Sequence, residues 1–399
     1  MPDTKSPLSG IKVIDCSRVL AGPYCCELLS LLGADIIKVE NHAGDEGRMW
    51  PPHKGEMGSS FLGLNANKRS IAIDLKSPAG VELVKDLARD ADVLVENFKT
   101  GDMERFGLGY DDMRAINPKL VYTSVSAFGR QGPKGKGLGY EALLQAYSGV
   151  MNITGEPDGA PVRCGVSFLD MGTGVMAALA TVTALFRREF TDLGGKVETS
   201  LLGTSLGLMS NTVSNFLQHG YMPERLGTAH PQVVPYQVYP TKDSFIFIAS
   251  GNQNLFERLC RAIDIEDLID DPRFANNATR VANREACLKR IFNALAQFDT
   301  EPLMARLDEH GVPYSKVNDL QTLWDDGQVD ALGLIEDGND PDYGDFRIMG
   351  LPFSMTDHER GLTRTAPRIG EHSREVLHEI GYDDLRIDDL LKNNIIVSK

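Results

Sequence analysis

Residues 11–39 read IKVIDCSRVLAGPYCCELLSLLGADIIKV. β-Branched runs at 11–15 and 35–39 enclose a helical apolar pattern at 24–32, with Gly or Pro punctuating the joints. Parallel strands need a crossover of a dozen or more residues, usually a helix, so this strand–helix–strand order predicts a parallel sheet. The rhythm resumes with a run at 70–75, a helix over 78–91 with Pro78 in its first turn, and runs at 92–98 and 119–126. The fold class that follows is α/β, with a doubly wound parallel sheet covered by helices. Ligands in such sheets sit outside the carboxyl ends of the strands, here the segments around Asn41, Lys76, Asn97 and Phe128.

Further along, a strand-like run at 166–169 leads into a Gly/Ala-rich apolar stretch at 171–186 that reads as a buried helix. A strand followed by a helix comes next, at 196–209. The polar stretch 218–230 resembles a crossing linker, and the composition then shifts. Residues 236–249 read as strand, turn and strand, 254–263 and 284–298 as amphipathic helices, and an extended run follows Gly311-Val312-Pro313. The division expected is a large, Rossmann-like domain over 1–217, a linker over 218–229, a smaller α+β domain over 230–330, and a segment over 331–399 that returns to the large domain.

The 399 residues are 42% hydrophobic and 24% charged, with a formal net charge of -15, which argues against a general nucleic-acid binder because phosphate neutralisation needs a basic face. An anionic small molecule can still bind through a local cluster of cations. Six cysteines at irregular spacing, without a CxxC pair, indicate neither a zinc site nor a disulfide framework. The start of the chain is polar and no uninterrupted apolar run is long enough to span a bilayer, so a cytoplasmic protein without membrane contact is expected.

Several common chemistries find no support. The loop 129–139 carries Arg130, Lys134 and Lys136 among glycines and reads as mobile, but Lys136 is followed by Gly137 rather than Ser or Thr, so it is not a P-loop. Ala21-Gly22-Pro23 holds one glycine after the first strand, which argues against NAD. The eight histidines show no metal-binding spacing. Gly203-Thr204-Ser205-Leu206-Gly207 matches the nucleophile-elbow pattern but falls a turn inside a helix, where close packing is the better explanation. Cys25 and Cys26 sit in an apolar helical pattern and read as structural thiols.

Asp170 is the remaining lead. It stands at the first turn of the apolar helix, where unsatisfied N–H groups favour the ionised carboxylate and lower its pKa, and an ionised, pre-positioned carboxylate is a nucleophile. Gly172 and Gly174 beside it leave room for a reactant to approach. On local grounds alone the commoner role is a helix cap.

The chain resembles the family III CoA-transferases over nearly its whole length. This class includes formyl-CoA and carnitine CoA-transferase-like enzymes and the related α-methylacyl-CoA racemases. The residues that carry the likeness are Leu20-Ala21-Gly22-Pro23, Gly33-Ala34-Asp35-Ile36-Ile37-Lys38-Val39-Glu40, Asn67-Lys68-Arg69-Ser70-Ile71, Val95-Glu96-Asn97-Phe98, Asp170 with Met171-Gly172-Thr173-Gly174, and Ala366-Pro367-Arg368-Ile369-Gly370-Glu371-His372. Each is weak alone; their order and spacing together are specific.

The resemblance implies a covalent cycle on Asp170 through an acyl anhydride and an aspartyl-CoA thioester, moving CoA between small organic acids. No cofactor is implied beyond CoA as substrate, and no metal. Glu141 is implied as an accessory acid, and N–H groups around 171–174 as oxyanion donors. By similarity, Asn97 and Phe98 contact the CoA nucleotide, Arg105 faces its phosphate, and Asn41 with the turn Ile73, Leu75 and Lys76 flank it. Lys136 and Tyr140 belong to the loop leading to the reactive end. The Lys68-Arg69 pair is expected to be a structural ion-pair element. The implied partners are an acyl-CoA donor, a carboxylic acid acceptor and a second copy of the chain in an interlocked homodimer.

Where the racemase branch has a histidine followed by an acid, this chain has Tyr140-Glu141, and tyrosine is a poor two-faced proton shuttle near neutral pH. Transferase is therefore preferred over racemase or epimerase. Residues 227–239 lack the glycine run of the formyl/oxalyl branch, which argues against an oxalate enzyme. A non-catalytic CoA-binding protein is the rival from another class, and an NAD dehydrogenase a distant third.

Overall fold

In the computed structural model the described residues are 6–356, 358 and 361–398. Their strands, in chain order, are β1 (Lys12–Asp15), β2 (Asp35–Glu40), β3 (His53–Lys54), β4 (Met57–Gly58), β5 (Arg69–Ile73), β6 (Val93–Glu96), β7 (Val121–Ser126), β8 (Gly195–Ser200), β9 (Tyr236–Pro240), β10 (Phe245–Ala249), β11 (Tyr314–Lys316), β12 (Ile335–Asp340), β13 (Gly344–Met349) and β14 (Ile396–Val397). Seven of them form one sheet in the order β14-β5-β2-β1-β6-β7-β8. All neighbours pair in parallel except β14, which joins β5 antiparallel at the edge. From β1 the chain first builds outward through β2 and β5, then returns to lay β6, β7 and β8 on the other side. The strand order thus reverses between β1 and β6, which makes the crevice above their carboxyl ends the place for a ligand.

The alternation of side chains in each strand explains why both faces are covered. Ile14, Ile37, Ile71 and Leu94 pack on one side with Leu83, Val84 and Leu87 of the helix Pro78–Arg89. Val13, Ile36, Val93 and Val95 pack on the other with the helices Ala21–Leu31 and Phe168–Thr191. Buried on both faces, the strands read as continuous apolar runs.

Two helices begin earlier than the sequence suggests. The first starts at Ala21, because Pro23 falls in the first turn, where a missing N–H costs nothing. The second starts at Phe168, so the run 166–169 is not a strand; Phe168 and Leu169 instead seat the helix start against Leu144 and Leu201. This 24-residue helix, with a mean hydropathy of 1.5 over its most apolar window, has the length and composition of a membrane span, contrary to expectation. Its inner face, including Ala177, Ala178 and Leu185, is packed in the core.

The chain forms two compact units: residues 1–150, 164–221 and 329–399, and residues 151–163 with 222–328. Residues 151–163, expected in the large domain, therefore group with the smaller unit. That unit contains the antiparallel sheet β11-β10-β9 and a core of Tyr239, Ile246, Ile248, Phe256, Leu259 and Ile291. Residues 218–230 begin in the helix Ser210–His219 and then run without regular structure except for a turn at 227–228.

Lys68 and Arg69 are structural. Lys68, fully buried, donates to Asp15 Oδ2 (3.0 Å), the Pro23 carbonyl (3.0 Å) and Asn65 Oδ1 (2.9 Å). Arg69 gathers Asp35, Glu375 and Glu379, tying the return segment to β2 and β5. Nearby, Glu27 is buried with no hydrogen-bond partner for either oxygen. Burial pushes its pKa up to about 8, with Lys68 opposing.

A raised carboxyl pKa means that the fold favours the protonated form, so this contribution is intact below the unfolded value near 4.5 and is lost as pH rises through about 8. At about 1.4 kcal/mol per unit, the loss is on the order of 5 kcal/mol. Glu27→Gln is expected to match the wild type near pH 4.5 and to exceed it increasingly up to pH 8, measured by urea denaturation across that range. Parallel pH profiles for the two proteins would contradict this.

Candidate active site

Asp170 opens onto a cavity of about 240 Å³ that lies wholly within the larger unit, at the reversal point of the sheet. Its walls are the 18–21 loop after β1, Glu46, Asn97 and Lys99 after β6, residues 125–127 at the end of β7, the 138–141 turn, Asp170 and Leu201. The carboxylate is third in its helix. Met171 N–H makes a backbone bond back to the Ser167 carbonyl (3.1 Å), so the N–H groups left over at this helix start belong to residues before 171, not to 171–174.

Glu141 begins the helix Glu141–Tyr147 and lines the same cavity. Its Oε1 accepts from Gln145 Nε2 (2.6 Å), and Gln145 Oε1 in turn accepts from the Cys164 N–H (2.9 Å). This chain holds the second carboxyl in place beside the first. Asp170 is half-buried, and its pKa is pushed up to about 7, first by burial and then by the Glu141 carboxylate. That reverses the lowering expected from the helix end: a carboxylate that has lost water and faces a second acid outweighs the attraction of the N–H groups. Near neutrality it is divided between an acid and a nucleophilic anion.

The two glycines after Asp170 have another role. A Cβ on Gly174 would lie 2.8 Å from the Ala21 carbonyl and 3.0 Å from Tyr24, so Gly174 lets the helix Ala21–Leu31 close against the Asp170 helix rather than admitting a reactant. On Gly172 a Cβ would come within 3.1 Å of Thr204.

Of the residues singled out from sequence, the cavity brings together Asp170, Glu141, Tyr140 and Asn97. Asn41, Lys76, Arg105 and Lys136 are exposed outside its lining, and Arg105 pairs with Asp102 at 3.0 Å. Leu75 and Phe98 are partly buried against the core. Ile73 is a correction: its side chain is fully buried between sheet and helices and reaches no ligand. The 129–139 loop is also less free than expected. Arg130 donates to Glu96 (2.6 Å), Ser124 and the Phe98 carbonyl, and Thr100 Oγ1 donates to the Gly135 carbonyl (2.6 Å). Ser205 lies inside the helix Leu201–Leu208, bonded to Ser148 (2.7 Å), away from any strand-to-helix corner.

Comparison with known proteins settles the class. CoA-transferase family III matches residues 8–373. The chain belongs to CoA-transferase family III. The transferase is 39% identical over 388 residues to the succinate–glutarate CoA-transferase of Agrobacterium fabrum, covering 95% of this chain and 97% of that protein. It is 36% identical to the succinyl-CoA:glutarate CoA-transferase of Mus musculus, covering 99% and 91%. The crystal structure of a CAIB/BAIF family protein from Brucella suis superimposes with a TM-score of 0.83 at 36% identity, covering 94% of this chain and 100% of that one.

Sequence reasoning missed Arg18 and Lys99, the two cations that line the transferase's cavity. Both follow strands whose carboxyl ends flank the reversal point, β1 and β6. The signal that could have found them is strand order: once β1 and β6 are neighbours, the residues just past each must face the same crevice.

Proposed function

We propose that the transferase exchanges CoA between small dicarboxylic acids through Asp170. The observation that carries this reading is a half-buried carboxylate on the wall of a cavity at the sheet's reversal point, with a second carboxyl held on the same wall. An Asp170 oxygen attacks the thioester carbon of the donor; the C–S bond breaks, CoA leaves as thiolate, and an acyl anhydride forms. The thiolate then attacks the Asp170 carbonyl carbon of that anhydride, the C–O bond breaks, and the donor acid departs as carboxylate, leaving an aspartyl-CoA thioester. The acceptor carboxylate runs the two steps in reverse. No proton is gained or lost, and CoA is a substrate; the cycle uses no resident cofactor or metal.

Each step passes through an oxyanion, and the N–H groups of residues 168–170 are the donors that the helix start offers. Burial, and then the Glu141 carboxylate, raise the basicity of Asp170, so the anion that attacks is a stronger nucleophile than a solvated carboxylate. In this reading the exposed cations Lys76, Arg105 and Lys136, with Asn41, Leu75, Asn97 and Phe98, are assigned to the CoA phosphates and nucleotide, and Tyr140, exposed on the cavity wall, to the reactive end. The relatives are named for succinate and glutarate, which supports short diacids as the substrate class.

A homodimer belongs to the same proposal. Val175, Leu179, Phe186 and Phe190 form an exposed stripe along the Asp170 helix, from 42% to 74% accessible, and Phe186 stacks edge-on with Phe190 at 5.0 Å. Apolar surface of that extent is what a second copy would cover. Light scattering should give twice the chain mass; a stable monomer would remove this part. For the reaction, the purified protein is incubated with succinyl-CoA and a panel of free acids. The appearance of glutaryl-CoA with glutarate is expected, and no new acyl-CoA with any acid would overturn the reading.

A further inference from the structure

The cavity's two cations have no part in the cycle above. At about 240 Å³ the cavity is smaller than the roughly 300–1,000 Å³ that holds a drug-sized ligand whole, so it suits the acyl end of the substrate rather than CoA itself. Glu46, Glu141 and Asp170 share its wall, and an acyl group that carries a second carboxylate enters against like charge unless a cation meets it.

Arg18 is held there by its own backbone. Its N–H donates to Asn97 Oδ1 (3.0 Å), and Asn97 Nδ2 donates back to the Arg18 carbonyl (2.7 Å), which locks the ends of β1 and β6 together. The next residue, Val19, has φ +74°, a left-handed conformation that a β-branched residue strongly resists. A clamp maintains it. Val19 N–H donates to both Asp45 oxygens (3.2 Å each), Lys38 Nζ donates to Asp45 (2.9 Å) and to the Ser17 carbonyl (3.0 Å), and both charged side chains are buried.

Strain of this kind persists only where the surroundings over-determine it, and it collects at functional positions. The backbone is fixed and the guanidinium it carries lies over the Phe98 ring (5.8 Å), with a long, solvent-exposed partner in Glu46 (3.7 Å), a contact of little worth that a ligand can replace. Its planar fork matches a carboxylate bidentately, as a lysine does not.

We propose that Arg18 reads the distal carboxylate of a dicarboxylic acyl group, displacing Glu46, and thereby selects short diacids over monocarboxylic acids of the same length. This rests on the transferase reading of Asp170. The test compares succinate with butyrate as acceptors in wild type, Arg18→Gln and Val19→Gly. In Arg18→Gln the succinate-to-butyrate ratio of kcat/KM is expected to fall about 100-fold. Val19→Gly is expected to raise the thermal midpoint, because the strain is released, and to lower the same ratio, because Arg18 is no longer fixed.

Equal losses on both acids, or a raised KM for every acyl-CoA regardless of acceptor, would overturn the assignment and make Arg18 a CoA contact. Wild type that transfers CoA to butyrate as well as to succinate would also overturn it while leaving the transferase reading intact. Wild type that transfers to no acid would overturn both.

Discussion

Alanine at position 170 is expected to lower transfer between acyl-CoA and free acid by on the order of 10³-fold or more, the scale on which covalent catalysis fails when its nucleophile is removed. Asp170→Asn should do the same, since an amide keeps the shape but not the nucleophilic oxygen. The pH profile separates this account from a structural role for the residue. Asp170 attacks only as the anion, and burial with the Glu141 charge has pushed its pKa up to about 7. The rate at limiting acyl-CoA should therefore fall about tenfold per unit as pH drops below 7. Glu141→Gln removes one of the two causes, so the acid limb should move to lower pH. An acid limb that stays in place would show that Glu141 does not set the charge state of Asp170.

The second large effect is on stability. Lys68→Met leaves Asp15 buried without its main cation. Burial alone would raise the Asp15 pKa, but Lys68, then Lys38 and the Ser17 hydroxyl, hold it down at about 2. A depressed carboxylate contributes stability above its unfolded value near 3.8, and this is lost as pH falls through about 2. At pH 7 the whole contribution is present, and breaking such a pair from one side costs about 3–5 kcal/mol.

Against a total of roughly 5–15 kcal/mol, this places the variant close to unfolding. Guanidinium denaturation at pH 7 should show it, and the double variant Asp15→Asn with Lys68→Met should recover part of the loss, because no charge is then stranded. A double variant no better than the single one would mean that Lys68 acts through Pro23 and Asn65 instead.

The sheet was legible because its signals are local. β-Branched runs such as 11–15 and 35–39 are buried on both faces, and the helices between them are too long for anything but a crossover. The start of the Asp170 helix was not, since a short, mostly apolar run such as 166–169 looks alike in a buried strand and in a buried first turn. The direction of the Asp170 pKa was missed for a related reason. Sequence shows a helix end, but not the burial or the acid 29 positions away that folding brings beside it. Ile73 was misplaced because a turn and the last core residue before it are adjacent in sequence and differ only in burial. Arg18 depended on Asn97, 79 residues away, and so on strand order, which only the fold provides.

The claim that everything turns on is that Asp170 carries CoA as a thioester. The direct measurement is mass spectrometry of the protein mixed with succinyl-CoA, quenched in acid and digested. A CoA-sized adduct on the peptide containing Asp170, removed by hydroxylamine and absent in Asp170→Asn, is the predicted result. An unmodified Asp170 peptide in a sample that is still turning over substrate would contradict it.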